Sequence, residues 1–587
     1  MIRPYQLPSL LTLFLCMLYT SLFAQEELTT VFERSKGTET ATYQEGIAYW
    51  KTFAESFEAV QIQEAGETDS GQPLHLVTID IDKDFDDRAA VAERGKVVVL
   101  INNGIHPGEA DGIEASMMLA RDLMMTKNGM SILEHVVVHI IPFYNVGGAL
   151  NRNSGTRANQ NGPLSYGFRG NARNYDLNRD FIKADSRNAR SFQELFQALQ
   201  PDVFVDTHVS NGADYQYVLT LISTQEDKLG FAQGKLMREV MEPALYDEMQ
   251  RDGILMTPFV NIYSNPPDSG WVQFMDAPRY STGYASLYQC IGFMTETHML
   301  KSFEDRVLAT YAFLEKLLAL SGERHEEILK AKAESRAAWQ AVEEYPLSYS
   351  HDAEKPTMLK FRGYTASKRP SEVTGFDRMY YDREAPFEKE VPWFNFFAPA
   401  YTVKVPAYYY IPYAWRHIAE ELQRNGVEVI ALDKDKLADT EQYKITDYET
   451  VKMPYEGHYI HYNVAVETLP VSLALPASGY LVNTRQPGIR YIMETLEPQA
   501  SDSWFAWNAF DAILQQKEHF SPYVFEDEAA EILRTDKDLK KAFEQKKVND
   551  PDFAKNWYAQ LSFIYEHTDH YELAHKRYPI LRVLQLK

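Results

Sequence analysis

His106 and Glu109 stand three residues apart in a His-Pro-Gly-Glu stretch that follows a β-branched run. An imidazole nitrogen and a carboxylate oxygen at this spacing can bind one Zn²⁺, because that ion accepts both kinds of ligand. The spacing alone is a weak signal. The same His-x-x-Glu pattern recurs at two other places, His351/Glu354 and His417/Glu420. A metal site therefore needs support from further residues.

Two residues at the ends of apolar strands are candidates to complete such a site. His208 ends the segment Val-Phe-Val-Asp-Thr-His and could be a third ligand, although a lone histidine there could also be a hydrogen-bonded core residue. Glu296 ends Ile-Gly-Phe-Met-Thr-Glu and could be a general base beside the metal. The alternative for Glu296 is an ordinary carboxylate at a strand end.

The segment 168–181 is rich in arginine and asparagine, and Arg169, Arg173 and Arg179 fall within eleven residues. A guanidinium group can bind a carboxylate through two hydrogen bonds and can stabilise an oxyanion. We therefore interpret this segment as a candidate substrate clamp. The alternative for each arginine is a surface ion pair.

These residues follow strands that alternate with helices, a pattern typical of an α/β fold with a mixed, mostly parallel sheet covered by helices on both faces. Catalytic groups in such sheets lie at the carboxyl ends of the strands. We predict a hairpin over 60–79, followed by strands at 97–101, 136–141, 203–208, 218–222 and 291–297. Predicted helices cover 31–58, 111–125, 186–200, 225–250 and 303–320.

The chain of 587 residues is long enough for two or three domains. We predict a signal peptide at 1–24, a catalytic domain at 25–323, a helical connector at 324–345 and an accessory domain at 346–587. Short alternating segments with aromatic residues indicate that the accessory domain is β-rich α+β, with one αβ unit at 414–432 and a helical end at 502–587.

Composition and charge limit the function classes. The net charge of −24 argues against nucleic acid or an anionic membrane as a partner. No glycine-rich phosphate loop or dinucleotide motif occurs, so no nucleotide cofactor is implied. No Gly-x-Ser-x-Gly motif occurs either, which disfavours a serine hydrolase.

Arg3 and an apolar run at 7–24 predict a cleaved secretory signal and a secreted or periplasmic protein, with no membrane span after its removal. The alternative is an N-terminal membrane anchor. After cleavage only Cys290 remains, which excludes an intrachain disulfide and a cysteine-based metal site.

Five features in this order resemble the zinc metallocarboxypeptidases of the carboxypeptidase A type, also called funnelins. They are His106, Glu109 three residues later, the pair Asn178-Arg179, His208 and Glu296, and the His-Pro-Gly-Glu motif is closest to the cytosolic, tubulin-processing branch. The resemblance covers about residues 40–320, and the remainder is similar to the C-terminal half of large secreted bacterial members. It implies a carboxypeptidase-like catalytic domain and one Zn²⁺ ion.

The resemblance also implies roles for single residues. His106, Glu109 and His208 would hold Zn²⁺, and Glu296 would be the general base and acid. Asn178 and Arg179 would bind the free α-carboxylate of a peptide. Two further residues complete the implied set, the oxyanion residue Arg169 and Asp176, which would orient His106. The family also uses a tyrosine before the glutamate, and neither Tyr280 nor Tyr284 can be matched to it.

We therefore expect a zinc-dependent exopeptidase that hydrolyses the C-terminal peptide bond with metal-activated water and a glutamate base. One alternative is a zinc amidohydrolase or deacylase acting on N-acyl amino acids or peptidoglycan peptides. An alternative of another class is a non-catalytic peptide- or glycan-binding protein that has kept the fold.

Overall fold

The computed structural model describes residues 28–263 and 265–587. The predicted signal peptide at 1–24 lies outside the described residues. Within the described part of the chain, no helix is both long and apolar enough to cross a membrane.

The first nine strands build the framework of the site. Their bounds are β1 Val60–Glu67, β2 Pro73–Ile79, β3 Val97–Asn102, β4 Val136–Ile141, β5 Val203–Ser210, β6 Leu219–Ser223, β7 Met256–Pro258, β8 Trp271–Val272 and β9 Ile291–His298. Eight of them form one sheet in the order β1-β2-β4-β3-β5-β9-β6-β7. The four central strands β4, β3, β5 and β9 are mutually parallel. Their carboxyl ends therefore lie at one edge of the sheet.

Nineteen α-helices lie within the described residues. They are α1 Val31–Arg34, α2 Tyr43–Ser56, α3 Arg88–Glu93, α4 Asp111–Met125, α5 Lys127–Leu133, α6 Val146–Leu150, α7 Arg187–Leu199, α8 Glu226–Leu229, α9 Phe231–Leu236, α10 Glu242–Arg251, α11 Ser281–Ser286, α12 Phe303–Glu323, α13 His325–Ala341, α14 Arg416–Arg424, α15 Ile489–Leu496, α16 Pro522–Thr535, α17 Lys537–Asn549, α18 Pro551–Lys555 and α19 Trp557–Tyr565.

Both faces of the eight-stranded sheet are buried, which explains why β3 reads as a continuous apolar run. Val97, Val99 and Ile101 pack on one face with helices α2, α4 and α12. Leu100 and Phe204 pack on the other face with α7 and α11, in a core that continues into residues beyond 344. The predicted mixed, mostly parallel sheet with helices on both faces is confirmed.

The remaining strands lie in the C-terminal region. They are β10 Glu344–His351, β11 Thr357–Pro370, β12 Asp377–Phe394, β13 Phe397–Lys404, β14 Tyr408–Ile411, β15 Ile430–Ala431, β16 Lys436–Thr450, β17 His461–Leu475, β18 Tyr480–Asn483 and β19 Leu581–Leu586. A six-stranded sheet has the order β15-β18-β14-β19-β16-β17, and β10 pairs with β13. The predicted β-rich α+β region is confirmed, whereas the exact domain boundaries stay a prediction.

The C-terminal region also pairs directly with the catalytic region. Strand β8 joins the long β11–β12 hairpin, with Trp271 opposite Trp393 and Val272 opposite Phe394. The Gln273 N–H donates to the Phe394 carbonyl at 3.0 Å. This pairing anchors the segment between β7 and β9, which contributes to the cavity described below.

Two helix predictions were wrong in detail. The predicted helix at 225–250 is interrupted after α8, where Gly230 has a φ of +75° that a side chain would oppose, and again by a π-helical turn at Met237–Met241. The C-terminal end at 502–587 contains helices α16 to α19 but finishes as β19. That strand pairs with β14 and β16, which are far away in the sequence.

Candidate active site

His106, Glu109 and His208 meet at the carboxyl edge of the central strands. Glu109 Oε1 lies 3.2 Å from His106 Nδ1, and Glu109 Oε2 lies 3.0 Å from His208 Nδ1. The two Nδ1 atoms are 3.2 Å apart, and all three side chains are buried. This is the one group of potential metal ligands found in the part of the chain that the structure describes. The structure therefore brings the three predicted ligands together.

The loop that carries the first two ligands is held by its backbone. Gly104 has a φ of +67°, a conformation that favours glycine, and it turns the chain out of β3. The Glu109 N–H donates to the His106 carbonyl at 2.7 Å, so both side chains project from one tight turn. Asn145 fixes the loop from outside by donating from Nδ2 to the Ile105 carbonyl at 3.1 Å.

Each histidine has a carboxylate on its outer nitrogen. His106 Nε2 lies 2.9 Å from Asp176 Oδ1, and His208 Nε2 lies 2.8 Å from Asp206 Oδ2. A carboxylate that accepts a hydrogen bond from Nε2–H favours the tautomer with an unprotonated Nδ1, and it directs that nitrogen inward. Sequence reasoning anticipated Asp176 and missed Asp206, although residues two apart on a strand share a face.

This arrangement fits a bound cation. With each Nε2 protonated, two Nδ1 lone pairs and a carboxylate converge, and a cation at their centre would satisfy all three. Ligand atoms around a tetrahedral Zn²⁺ lie roughly 3.3–3.6 Å apart when each bond is about 2.0–2.2 Å. The observed separations of 3.0–3.2 Å are close to that spacing.

Two arginines surround the Glu109 carboxylate. Arg157 Nη2 donates to Glu109 Oε1 at 2.7 Å, and Arg169 Nη1 lies 3.5 Å from the same oxygen. Burial opposes ionisation, but Arg157 and His106 hold the pKa of Glu109 well below its usual value. Sequence reasoning missed Arg157, because it lies in the long loop between β4 and β5 and follows no regular spacing.

Arg169 is less enclosed than the ligands. It donates from Nε and Nη2 to Asp176 Oδ2 at 3.0 and 2.8 Å, and its side chain is 44% exposed. Arg169 thus forms an ion pair with Asp176 and also lies within ion-pair distance of Glu109 at the cavity. A guanidinium there can stabilise negative charge that develops on a substrate oxygen.

Glu296 lies beside His208 on the neighbouring strand, since the two residues pair in the β5–β9 register. Burial raises the pKa of Glu296 to about 7, and the Glu109 charge adds to the effect while His208 opposes it. A carboxylate with a pKa near neutrality can both accept and return a proton.

A cavity of about 590 Å³ joins all these groups. Its walls include His106, Glu109, Arg157, Arg169, Asn178, Arg179, His208, Ile222, Phe259, Tyr263, Phe274, Tyr280, Met294 and Glu296. Every predicted metal, catalytic and substrate-binding residue therefore borders one space.

The clamp residues Asn178 and Arg179 lie in a short 3₁₀ turn. Asp176 caps this turn by accepting from the Asn178 N–H at 2.9 Å. Arg179 donates from Nη1 to the Asn178 carbonyl at 2.8 Å, and its Cζ lies 4.6 Å from the centre of the Tyr280 ring. Asp176 thus links this 3₁₀ turn to the His106 ligand.

An apolar wall extends from the clamp into the cavity. The ring of Tyr280 lies 5.1 Å from that of Phe274, which lies 6.3 Å from that of Phe259. Ile222 and Met294 pair on neighbouring strands and complete the apolar lining. The sequence analysis named no residue that determines substrate preference, and it did not predict this apolar wall.

The two tyrosines considered from the sequence differ in location. Tyr284 is fully buried and donates to Asn425 Oδ1 at 2.7 Å, whereas Tyr280 lines the cavity. Tyr263, which was not considered, also lines the cavity and is 60% exposed.

His298 has a structural environment. Its Nε2 donates to the Ala213 carbonyl at 2.9 Å, and burial lowers its pKa to about 4. The two other His-x-x-Glu pairs have exposed side chains, so neither forms a comparable group: His351/Glu354 and His417/Glu420.

Residues 47–214 match the Peptidase_M14 family model, described as zinc carboxypeptidase. Carboxypeptidase 2 of Trichophyton rubrum is 22% identical over 428 residues, which cover 70% of this chain and 73% of that relative. Carboxypeptidase 2 of Trichophyton tonsurans has the same identity and coverage. The matched segment contains the metal set and the clamp. The enzyme is a metallocarboxypeptidase.

Solved structures with a likeness to this metallocarboxypeptidase have low sequence identity. A metallo-carboxypeptidase from Burkholderia cenocepacia is 16% identical with a TM-score of 0.37, covering 49% of this chain and 70% of that one. A metallo-carboxypeptidase from Pseudomonas aeruginosa, in complex with (2-guanidinoethylmercapto)succinic acid, is 16% identical with a TM-score of 0.36, covering 48% and 68%.

Proposed function

We propose that this metallo-exopeptidase removes single C-terminal residues from peptides by zinc-dependent hydrolysis. The observation that carries the proposal is the common cavity, where a three-ligand set, a raised-pKa carboxylate and a carboxylate-binding arginine face one another. Each group supplies one requirement of peptide hydrolysis next to a free C-terminus.

His106, Glu109 and His208 would hold one Zn²⁺ ion, because their three donor atoms converge on one point. When bound, Zn²⁺ polarises the scissile carbonyl and lowers the pKa of a coordinated water. Asp176 and Asp206 would keep both imidazoles in the tautomer that presents Nδ1 to the ion.

Glu296 would act as the general base and then the general acid. It would accept a proton from the water whose oxygen attacks the carbonyl carbon, and return that proton to the amine nitrogen as the C–N bond breaks. Its pKa of about 7 suits both steps at neutral pH. Arg169 would stabilise the carbonyl oxygen as it gains negative charge.

Arg179 and Asn178 would bind the terminal carboxylate of the peptide. Charge-assisted bonds from a guanidinium to a carboxylate are among the strongest hydrogen bonds, so a blocked terminus would lose most recognition. With the carboxylate at Arg179, the last side chain of the peptide would contact Phe274, Tyr280 and Met294. We therefore propose that the preferred C-terminal residue is aromatic or large and aliphatic.

Tyr263 is our candidate for the family tyrosine that the sequence left unassigned. It borders the cavity next to the apolar wall and exposes its ring to solvent. Its phenol could donate to the peptide when substrate binds.

The test compares one peptide in two forms, with a free and an amidated C-terminal phenylalanine, and follows release by mass spectrometry. We expect zinc-dependent cleavage of the free form, loss of activity with a chelator, recovery with Zn²⁺, and almost no release from the amide. Equal cleavage of both forms would contradict the proposal. An N-acetylated amino acid serves as a third substrate, and cleavage of it alone would identify a deacylase.

Secretion into a cell envelope or medium, and origin from a large secreted bacterial branch, remain part of the proposal. They rest on the apolar run at 7–24 and on the resemblance of the C-terminal half. Cell fractionation with detection of the mature N-terminus would test the location.

A further inference from the structure

The hairpin of β16 and β17 ends in a tight turn that reaches the catalytic region. We name residues Tyr455–His458 the clamp turn. The Tyr455 N–H donates to the His458 carbonyl at 2.7 Å, and the His458 N–H donates back to the Tyr455 carbonyl at 3.0 Å. The two central residues have positive φ angles, +49° at Glu456 and +83° at Gly457. A non-glycine residue keeps such an angle only where its surroundings hold it.

Three successive residues of the clamp turn contact segment 175–185. Glu456 Oε2 accepts from the Asp176 N–H at 2.7 Å. A Cβ at Gly457 would stand 3.1 Å from the Tyr175 ring, which is a tight contact, and the φ of +83° also favours glycine. His458 Nε2 lies 2.8 Å from Asp185 Oδ2. The clamp turn therefore holds the segment that carries Asp176, Asn178 and Arg179.

Tyr455 reaches the clamp itself. Burial opposes the positive charge of Arg179, whereas Asp176, Tyr280 and Tyr455 beside it raise the pKa of its guanidinium. Arg279 Cζ lies 5.7 Å from the centre of the Tyr455 ring. The Tyr455 ring stacks on Trp507, with 6.2 Å between the two ring centroids. Arg279 forms an ion pair with Asp502, with 2.8 Å between Nε and Oδ1. Tyr455 is therefore packed against C-terminal residues and lies next to the two arginines.

We propose that the C-terminal region takes part in substrate recognition through the clamp turn, with Tyr455 and Glu456 as positioning residues for Arg179 and Asp176. Tyr455 holds the guanidinium in the orientation that receives a substrate carboxylate. Glu456 holds the Asp176 backbone, and Asp176 in turn bonds to His106. This inference rests on the proposed function for its kinetic readout, although the contacts themselves do not.

The main experiment uses Tyr455→Phe in the full chain, which removes one hydroxyl and keeps the stacked ring. We expect KM for a peptide with a free C-terminal phenylalanine to rise about tenfold, since the phenol would no longer hold the Arg179 guanidinium in place. We expect kcat to change less than about twofold, with unchanged zinc content and Tm. The matched control is Tyr459→Phe, on the same hairpin with a side chain 52% exposed, and it should behave like wild type.

An unchanged KM in Tyr455→Phe would overturn the proposal. So would a fall in Tm and kcat with KM unchanged, because that pattern indicates structural packing alone. Glu456→Ala should also weaken substrate binding, and Glu456→Gln, which keeps an acceptor oxygen, should restore most of it. Equal kinetics of the alanine and glutamine variants would remove Glu456 from the proposal.

Calorimetric binding of N-acetyl-L-phenylalanine and its amide separates this inference from the proposed function. If wild type binds the acid without cleaving peptides, weaker binding by Tyr455→Phe supports the clamp turn while the proposed peptidase activity fails. If both proteins bind the acid equally, the inference fails on its own. If wild type neither binds the acid nor cleaves peptides, both proposals fail.

Discussion

The metal end and the carboxylate end of the cavity are built in different ways. At the metal end, both histidines are buried and each has a buried or half-buried aspartate on Nε2, all from segments around the eight-stranded sheet. At the carboxylate end, Arg179 donates to a backbone carbonyl and lies against the Tyr280 ring, and Glu456 of the C-terminal region accepts from the Asp176 N–H in the same segment. The ligands of the metal end thus come from one region, whereas the segment at the carboxylate end is also held by the C-terminal region.

The largest expected effect tests the metal end. Glu296→Gln keeps the shape of the side chain but cannot accept a proton, so kcat should fall by about two to four orders of magnitude. Zinc content by elemental analysis should stay at the wild-type level, because Glu296 is not in the ligand set. Turnover above one tenth of wild type would show that another group is the base.

The next effect tests the carboxylate end. Arg179→Ala should lower kcat/KM for a free C-terminal peptide by about two orders of magnitude, since a charge-assisted bond is removed. Activity on the amidated peptide should stay at its low level, so the preference between the two forms should disappear. Arg173→Ala is the matched control, because Arg173 lies in the same loop, bonds to the Asp185 carbonyl and does not line the cavity. A retained preference in Arg179→Ala would contradict the division between the two ends.

A smaller loss of function is expected from a substitution at the metal end. Asp206→Asn removes the charge that orients His208 and should weaken zinc affinity about 10- to 100-fold. The measurement is a competition titration with a chelator, with Tm recorded to detect unfolding. Asp176→Asn is the informative comparison, because Asp176 serves both ends and should also raise KM. Identical KM in both variants would show that Asp176 does not connect them.

The smallest effect concerns the apolar wall. Phe274→Ala should reduce the preference for C-terminal phenylalanine over alanine by about tenfold, which is the discrimination that a few methylene groups provide in an apolar pocket. A panel of peptides differing in the last residue measures it. A preference for lysine or glutamate in the wild type would exclude an apolar pocket.

The sequence predicted most of the catalytic framework because its signals are local. The helix predicted at 111–125 is α4 Asp111–Met125, and His106, His208 and Glu296 follow or close buried strands. His106 and His208 could be linked because parallel strands place their carboxyl ends at the same edge. Periodicity and strand ends therefore marked His208 and Glu296 as candidates, whereas the roles of ligand and base came from the family resemblance.

The missed residues depend on contacts that no short pattern encodes. Arg157 and Tyr263 lie in irregular loops, and Glu456 bonds to Asp176 across 280 positions of sequence. The same reason explains β19, where Leu581 and Val583 were expected in a helical end but pair with distant strands. Non-local pairing overrides local propensity in such segments.

The position of β19 sets an order for assembly. The last strand lies between β14 and β16, so the six-stranded sheet stays split in two until residue 586 has left the ribosome. Every strand of the eight-stranded sheet precedes residue 299, so these strands can pair earlier, since domains generally fold from the N-terminus during synthesis. Strand β16 of the β16–β17 hairpin pairs with β19 only after residues 581–586 have been synthesised. A nascent chain would thus bring its metal ligands together before the β16–β17 hairpin, which carries the clamp turn, is paired with β19.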